Sequence, residues 1–395
     1  MDGTIGVVLS GGGARGAYEF GALEVLAPVL SEPAQVIVGT SSGGLGAAYL
    51  GANFHDGLEA AARSGGEAWL EVEIGDVIGP LCSPRELARV LLYGLELLGI
   101  RAPGPPSLLD TSPQPETIAA LIDFDWLARN VDDGTLAAVA VVATDYSTAR
   151  SVVFHYGGES PASDDQRGID YVATRLAVEH VQASSAIQLL FPAVRVEAGW
   201  YGDGGVRLNT PLKPALRLNA ERVVVIGLNA VAGPPVTYDD SRPDVFDGAA
   251  AIAQALLADQ LAHDVDTLAT INDDVRQSGN PIKHRLVPYI FVAPTDRLAI
   301  GRLAMDVYNR YYAGARGMRR NRDLALLGRL LDAGRNPVRG DLLSYLFFAP
   351  EFISPLIEQG RRDAQAWLDQ QGRAEPWRTE HPWPPSRQPN PTPGH

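Results

Sequence analysis

The apolar positions of this chain fall into short runs that break at glycine-rich turns, with helix-like spacing filling the stretches between them. Residues 5–10 form the first strand-like run, which passes into Gly11-Gly12-Gly13-Ala14-Arg15-Gly16 and then into helical spacing as far as Leu30. A second run, Val36-Ile37-Val38, breaks at Gly39-Thr40-Ser41-Ser42-Gly43-Gly44, after which helical spacing resumes to about Arg63. Residues 136–143 and 152–155 predict two further buried strands, 171–183 a helix, and 194–203 one period-two strand ending at Asp203. Residues 222–228 predict another buried strand, 246–271 a long helix, and 286–292 a last strand before a helical remainder. Strands alternating with helices in this order predict an α/β fold with a mostly parallel sheet.

Between residues 55 and 110 the pattern is less regular. The leucine-rich amphipathic stretch 84–93 and the breaker Ala102-Pro103-Gly104-Pro105-Pro106 read as a lid, an acyl-channel wall or a packed helical insertion. Residues 301–372 predict a helical C-terminal extension. Within it, 342–348 and 352–356 are apolar enough to bury or to dock on a bilayer, and burial is expected. The proline-rich tail 373–395 is expected to be disordered.

With 395 residues, 46% hydrophobic and 20% charged, the chain can bury a sizeable core. The net charge of −14 disfavours nucleic acid and general attraction to anionic lipid. Arg316, Arg319, Arg320 and Arg322 form the one basic cluster, read as a solvated helix face or a contact for lipid phosphates. No run reaches the roughly 18 to 20 apolar residues of a membrane span, and the start lacks signal-peptide features, so a cytoplasmic, soluble protein is expected. The single cysteine, Cys82, cannot form an internal disulfide, and the seven histidines are scattered without metal-ligand spacing. No metal and no cofactor are expected.

Three glycine-rich turns carry candidate chemistry. Gly39-Thr40-Ser41-Ser42-Gly43 after a strand has the form of a nucleophile elbow, in which a sharp turn lifts a serine hydroxyl towards a base. Only Ser41 is flanked symmetrically by glycines, at Gly39 and Gly43. The loop from Gly11 to Gly16 lies between a strand and a helix N-terminus, a natural anion site. Its Gly11, Gly13 and Gly16 also match a dinucleotide pattern, but the acidic residue that pattern needs about twenty positions on is missing. An oxyanion hole is therefore the favoured reading. Asp203-Gly204-Gly205 offers a carboxylate at a strand end, a candidate base. Ser184 and Ser185 lack glycine flanks and read as loop or helix-end residues. His155, His180, His263 and His284 stand at no obvious turn, so each is expected to be structural or exposed.

These three stretches, in this order, resemble the motifs of the patatin-like phospholipases. Ala183-Ser184-Ser185-Ala186-Ile187 before Phe191-Pro192, and Asn209-Thr210-Pro211-Leu212, are similar to the family's connecting segments. Gln188 departs from the proline of many relatives and is expected to alter loop shape and not chemistry. The resemblance implies a three-layer fold over residues 1–300, with a mostly parallel central sheet flanked by helices. It also implies a phospholipase-type esterase, with Ser41 as nucleophile and Asp203 as general base without a histidine. The amides of Gly11, Gly12 and Gly13 are then the oxyanion hole, supported by Arg15, Gly16, Gly39, Gly43, Gly204 and Gly205. Arg15 fixes the loop or meets a phosphate. The substrate implied is a phospholipid or other acyl-ester lipid, with transient contact at a membrane surface. The alternative is a regulatory or effector module of the same fold, whose hydrolysis depends on a partner or signal.

Overall fold

The computed structural model describes residues 3–30, 33–82, 107–230, 259–278 and 285–381, with single positions at 244 and 248. Its strands are β1 (Ile5–Leu9), β2 (Ala34–Thr40), β3 (Ala138–Asp145), β4 (Ser151–Tyr156), β5 (Ile169–Ala173), β6 (Val194–Val196), β7 (Gly199–Asp203), β8 (Arg222–Ile226) and β9 (Tyr289–Val292). They form one sheet in the order β5-β4-β3-β2-β1-β8-β9, with β7 joining β3 and β6 joining β7. The central pairs β1 with β2, β1 with β8, and β2 with β3 are all parallel. Every residue of β1 and β8 is buried, which is why the sequence shows continuous apolar runs there in place of alternation.

Three expectations change at this point. β4 runs antiparallel to β3, because the short connection after Asp145 is a turn, too brief for a parallel crossover. The helix expected over 171–183 is instead the strand β5, paired with β4, followed by a helix at Val178–Ser184. The single strand expected over 194–203 is a hairpin, β6 and β7, joined by a two-residue turn in which Glu197 takes φ 51°. That turn fixes the register of β7 against β6, and β7 pairs in turn with β3, with Asp203 opposite Ala143.

Helix α1 (Ala17–Leu26) follows the glycine loop, and α2 (Ser42–Asn53) follows the serine turn. The helical stretch expected beyond the serine is broken by a one-turn element and Gly57 at φ 86°, after which α3 (Leu58–Glu71) begins. The helix expected at 246–271 is described from Asp259 and runs on to Ser278. The amphipathic stretch 84–93 and residues 382–395 of the tail lie outside the described residues, whereas 373–381, expected to be disordered with them, are ordered by the pairing of Arg378 with Tyr289 of β9 and the bond from Trp367 Nε1 to the Pro376 carbonyl.

The C-terminal region is helical, ending in Pro350–Gln371, and it shares one hydrophobic core with the sheet. Leu343, Phe347, Phe352, Ile353 and Leu356 are fully buried, as expected. The last helix lies against α1 backbone to backbone: a Cβ on Gly360 would come within 2.1 Å of the Tyr18 carbonyl. Among the described residues, no helix is long and apolar enough to cross a membrane.

Candidate active site

The sheet register brings the serine turn and the aspartate together. β2 and β7 share one edge of β3: Thr40 pairs with Val142, and Asp203 takes the next position, opposite Ala143. β2 therefore ends where β7 arrives, and the turn between Thr40 and α2 faces the end of β7. The Ser41 hydroxyl donates a 2.6 Å hydrogen bond to Asp203 Oδ2. Both residues are buried.

Ser41 has φ 56° and ψ −123°, a left-handed conformation that costs a side-chain-bearing residue of order 1–3 kcal/mol. The turn is tight enough that a Cβ on Gly39 would lie 1.9 Å from the Gly43 carbonyl oxygen. Glycine is required at 39 for space. Gly43 is equally constrained, its Cβ position falling 2.6 Å from the Leu9 backbone.

Asp203 is held from several sides. Its Oδ1 accepts from the Gly205 amide at 2.6 Å, while its carbonyl accepts from Thr144 Oγ1 at 2.9 Å and Gln188 Nε2 at 2.8 Å. A Cβ on Gly204 would meet the Val142 carbonyl at 2.4 Å, so close packing on β3 demands glycine there too. Burial pushes the Asp203 carboxyl up to about 6, against the pull of its hydrogen bonds from Ser41 and Gly205.

The glycine loop lies beside the serine, its three amides engaged differently. The Gly11 amide donates to the Asn209 carbonyl at 3.1 Å, and the Gly12 amide to Ser42 Oγ at 2.9 Å. Gly13, at φ 59°, faces the cavity above Ser41, and among the described residues its amide has no protein acceptor. Of the three amides expected to form an oxyanion hole, those of Gly11 and Gly12 thus already have protein acceptors.

Arg15 is fully buried. Its Nε donates to Ser344 Oγ at 2.6 Å, Nη1 to Asn229 Oδ1 at 3.1 Å, and Nη2 to the Asp341 carbonyl at 2.6 Å. Nη2 also meets Asp341 Oδ1 at 2.8 Å, and the guanidinium stacks on Tyr345. Arg15 therefore ties the loop to the helix Pro337–Ser344. In the expected basic cluster, Arg320 pairs with Glu351 and Arg316 donates to the Arg310 carbonyl.

His155 is satisfied by Gly157 and Ser160, and His180 by the Ala177 amide. Burial lowers the His180 pKa. The side chain of His263, and His284 as a whole, lie outside the described residues.

A cavity opens over Ser41. Its walls are mostly apolar: Phe20 from α1, Leu45 and Tyr49 from α2, Trp69 from α3, and Ile187 and Phe191 from the loop before β6. Tyr345, Leu346 and Phe348 close one side, with Phe348 stacked on Trp69. This wall was not expected, because no local motif marks it.

Ser184 was also missed. Fully buried, it accepts the Ser41 amide at 2.9 Å and donates to the Val142 carbonyl at 2.6 Å, so one hydroxyl braces the strained turn against β3. Ser184→Ala leaves both backbone groups unpaired, and should cost about 1–3 kcal/mol of stability. A chemical unfolding curve checks this, and a change below a few tenths would contradict the bracing role.

An α/β protein with a serine on a strained strand-to-helix turn, against a buried carboxylate and beneath an apolar cavity, is the class defined by fold and site. The family model for patatin-like phospholipase matches residues 7–216, more than half of the chain, and the protein belongs to that family. No curated protein matches the chain. Among solved structures it is similar to VipD from Legionella pneumophila, at 14% identity and TM-score 0.28, covering 74% of this chain and 62% of that one. It is also similar to human GIVD cytosolic phospholipase A2 in complex with methyl gamma-linolenyl fluorophosphonate, at 12% identity and TM-score 0.31, covering 92% and 59%. The chain thus spans about three fifths of the length of these two structures.

Proposed function

We propose that the protein is a serine lipid acyl hydrolase of the phospholipase A or lysophospholipase type, working through a Ser41–Asp203 dyad. The observation that carries this reading is the 2.6 Å bond from Ser41 Oγ to Asp203 Oδ2 at the base of an apolar cavity. Asp203 takes the hydroxyl proton as Ser41 attacks the ester carbonyl. The Gly13 amide receives the developing oxyanion, and the Gly12 amide joins it when the Ser42 hydroxyl turns aside. Preorganised donors of this kind are worth about 10² to 10³ in rate each. On collapse Asp203 returns that proton to the departing alcohol oxygen, which leaves the acyl chain on Ser41 and the carboxylate free again. Water, deprotonated by Asp203, then frees the fatty acid. The apolar cavity walls suit an acyl chain.

The test is reaction with an alkyl fluorophosphonate, followed by peptide mass spectrometry and by product analysis on a panel of phospholipids. A single adduct on Ser41 and release of free fatty acid are expected. An adduct confined to Ser42, or to no residue, overturns the reading.

A further inference from the structure

The loop from Ile187 to Phe191 has two faces. Ile187 and Phe191 line the cavity above Ser41, while Leu189 between them turns outward with φ 70° and is 82% exposed. A leucine in the left-handed region is strained, and an exposed side chain has little packing to offset that strain. Leu189 has apolar neighbours. Leu108 is 56% exposed and its amide donates to the Leu189 carbonyl at 3.0 Å. On the other side, Gln188 and Tyr146 both crowd Gly202, where a Cβ would meet them at 2.9 and 3.0 Å. Tyr146 is 50% exposed, and its amide donates to the carbonyl of Trp200, which is 52% exposed. Leu108 and Leu189 are thus joined by one backbone hydrogen bond and Tyr146 and Trp200 by another, the two pairs meet where Gln188 and Tyr146 crowd Gly202 of β7, and Leu189 lies on the segment that also lines the cavity.

We propose that these four side chains are the surface on which the protein docks to a neutral, zwitterionic phospholipid layer, with Leu189 as the inserted tip. The proposal rests on the hydrolase reading, since it places the cavity beside the lipid that would fill it. Leucine inserts into acyl chains, while tyrosine and tryptophan settle at the headgroup level, apolar body down and polar edge in water. The charges beside the patch have both signs: Asp145 adjoins Tyr146, Arg195 pairs across from Trp200, and Glu197 forms the turn. With a net charge of −14 overall, no positive field draws the patch to anionic lipid. Attachment therefore comes from apolar insertion.

The experiment compares the wild type with Leu189→Asp, Leu108→Asp and Leu189→Gly in two assays. Flotation with phosphatidylcholine vesicles reads docking without chemistry, and cleavage of a monomeric short-chain ester reads chemistry without docking. Burying one leucine is worth enough to expect a loss of about tenfold or more in vesicle association for each variant, with ester cleavage unchanged. Leu189→Gly also relieves the φ 70° strain, so it should melt no lower than wild type while still losing vesicle binding. Vesicle binding that survives all three substitutions overturns the docking surface. So does a tenfold weakening of wild-type binding by added salt, or a dimer that the substitutions dissolve. Absence of ester cleavage in the wild type overturns the hydrolase reading alone, because flotation still reports docking.

Discussion

Asp203→Asn should lower kcat by about 10² to 10⁴, the usual worth of a positioned general base. The substitution keeps the shape and can still accept from the Gly205 amide, but it cannot take the Ser41 proton. The pH profile gives the sharper reading. Wild-type kcat/KM should rise as pH passes through about 6, where the buried carboxyl ionises, and stay level above it. That limb should vanish in the variant. Stability should move the other way. A carboxyl raised from 3.8 to about 6 in the folded state favours folding below its unfolded value and loses that contribution as pH rises through about 6. At neutral pH the ionised group costs about 3 kcal/mol. Asn does not titrate, so the variant should be more stable than wild type at pH 7, by up to about that amount, with the gap closing below pH 4. Near-normal turnover, or a gap that does not narrow in acid, would rule out this account of Asp203.

Arg15→Ala should be the most destabilising single change to the site's supports. It removes the bonds to Ser344, Asn229 and the Asp341 carbonyl, and leaves the mostly buried Asp341 carboxylate without its cation. Breaking such a pair costs about 3–5 kcal/mol, a large share of the 5–15 kcal/mol of a typical domain. Adding Asp341→Ala should recover part of the loss, because no uncompensated charge remains. Arg15→Lys should not substitute, since one ammonium cannot reproduce a planar fork bonded to three residues. Activity should fall with stability, because the same turn carries Gly13, which lines the cavity over Ser41, and is held by the Tyr345 carbonyl, which accepts from Ala14 at 3.0 Å. Urea unfolding with an unchanged m-value checks the first claim, and a loss under 1 kcal/mol would contradict it.

The parts of the site written in local rules were legible in the sequence. Gly39 and Gly43 mark the elbow because a backbone can approach so closely only where there is no side chain, and Asp203 stands out by its glycine neighbours. The central strands were legible because burial on both faces leaves unbroken apolar runs. What escaped depends on contacts between distant segments. Ser184 gives no local sign that its hydroxyl braces a turn 143 positions earlier. The Tyr345 to Phe348 wall reads as ordinary core until it is placed opposite Trp69. The β6–β7 hairpin was hidden because alternation runs on either side of Glu197 and Ala198, whose turn is set by backbone conformation that the residue types do not announce. Gln188, expected to matter for loop shape alone, also donates to the Asp203 carbonyl.

The pairing of β7 with β3 has a consequence for how the site can vary. Side chains along β7 alternate between the two faces of the sheet, so a slip of β7 along β3 by one residue would turn Asp203 to the face opposite Ser41. The separation of serine and carboxylate is therefore a discrete quantity, changed in whole-residue steps and not by gradual drift. Substitutions in the surface turn at Glu197-Ala198 that preserve its length should leave this pairing, and the contact between Ser41 and Asp203, unchanged.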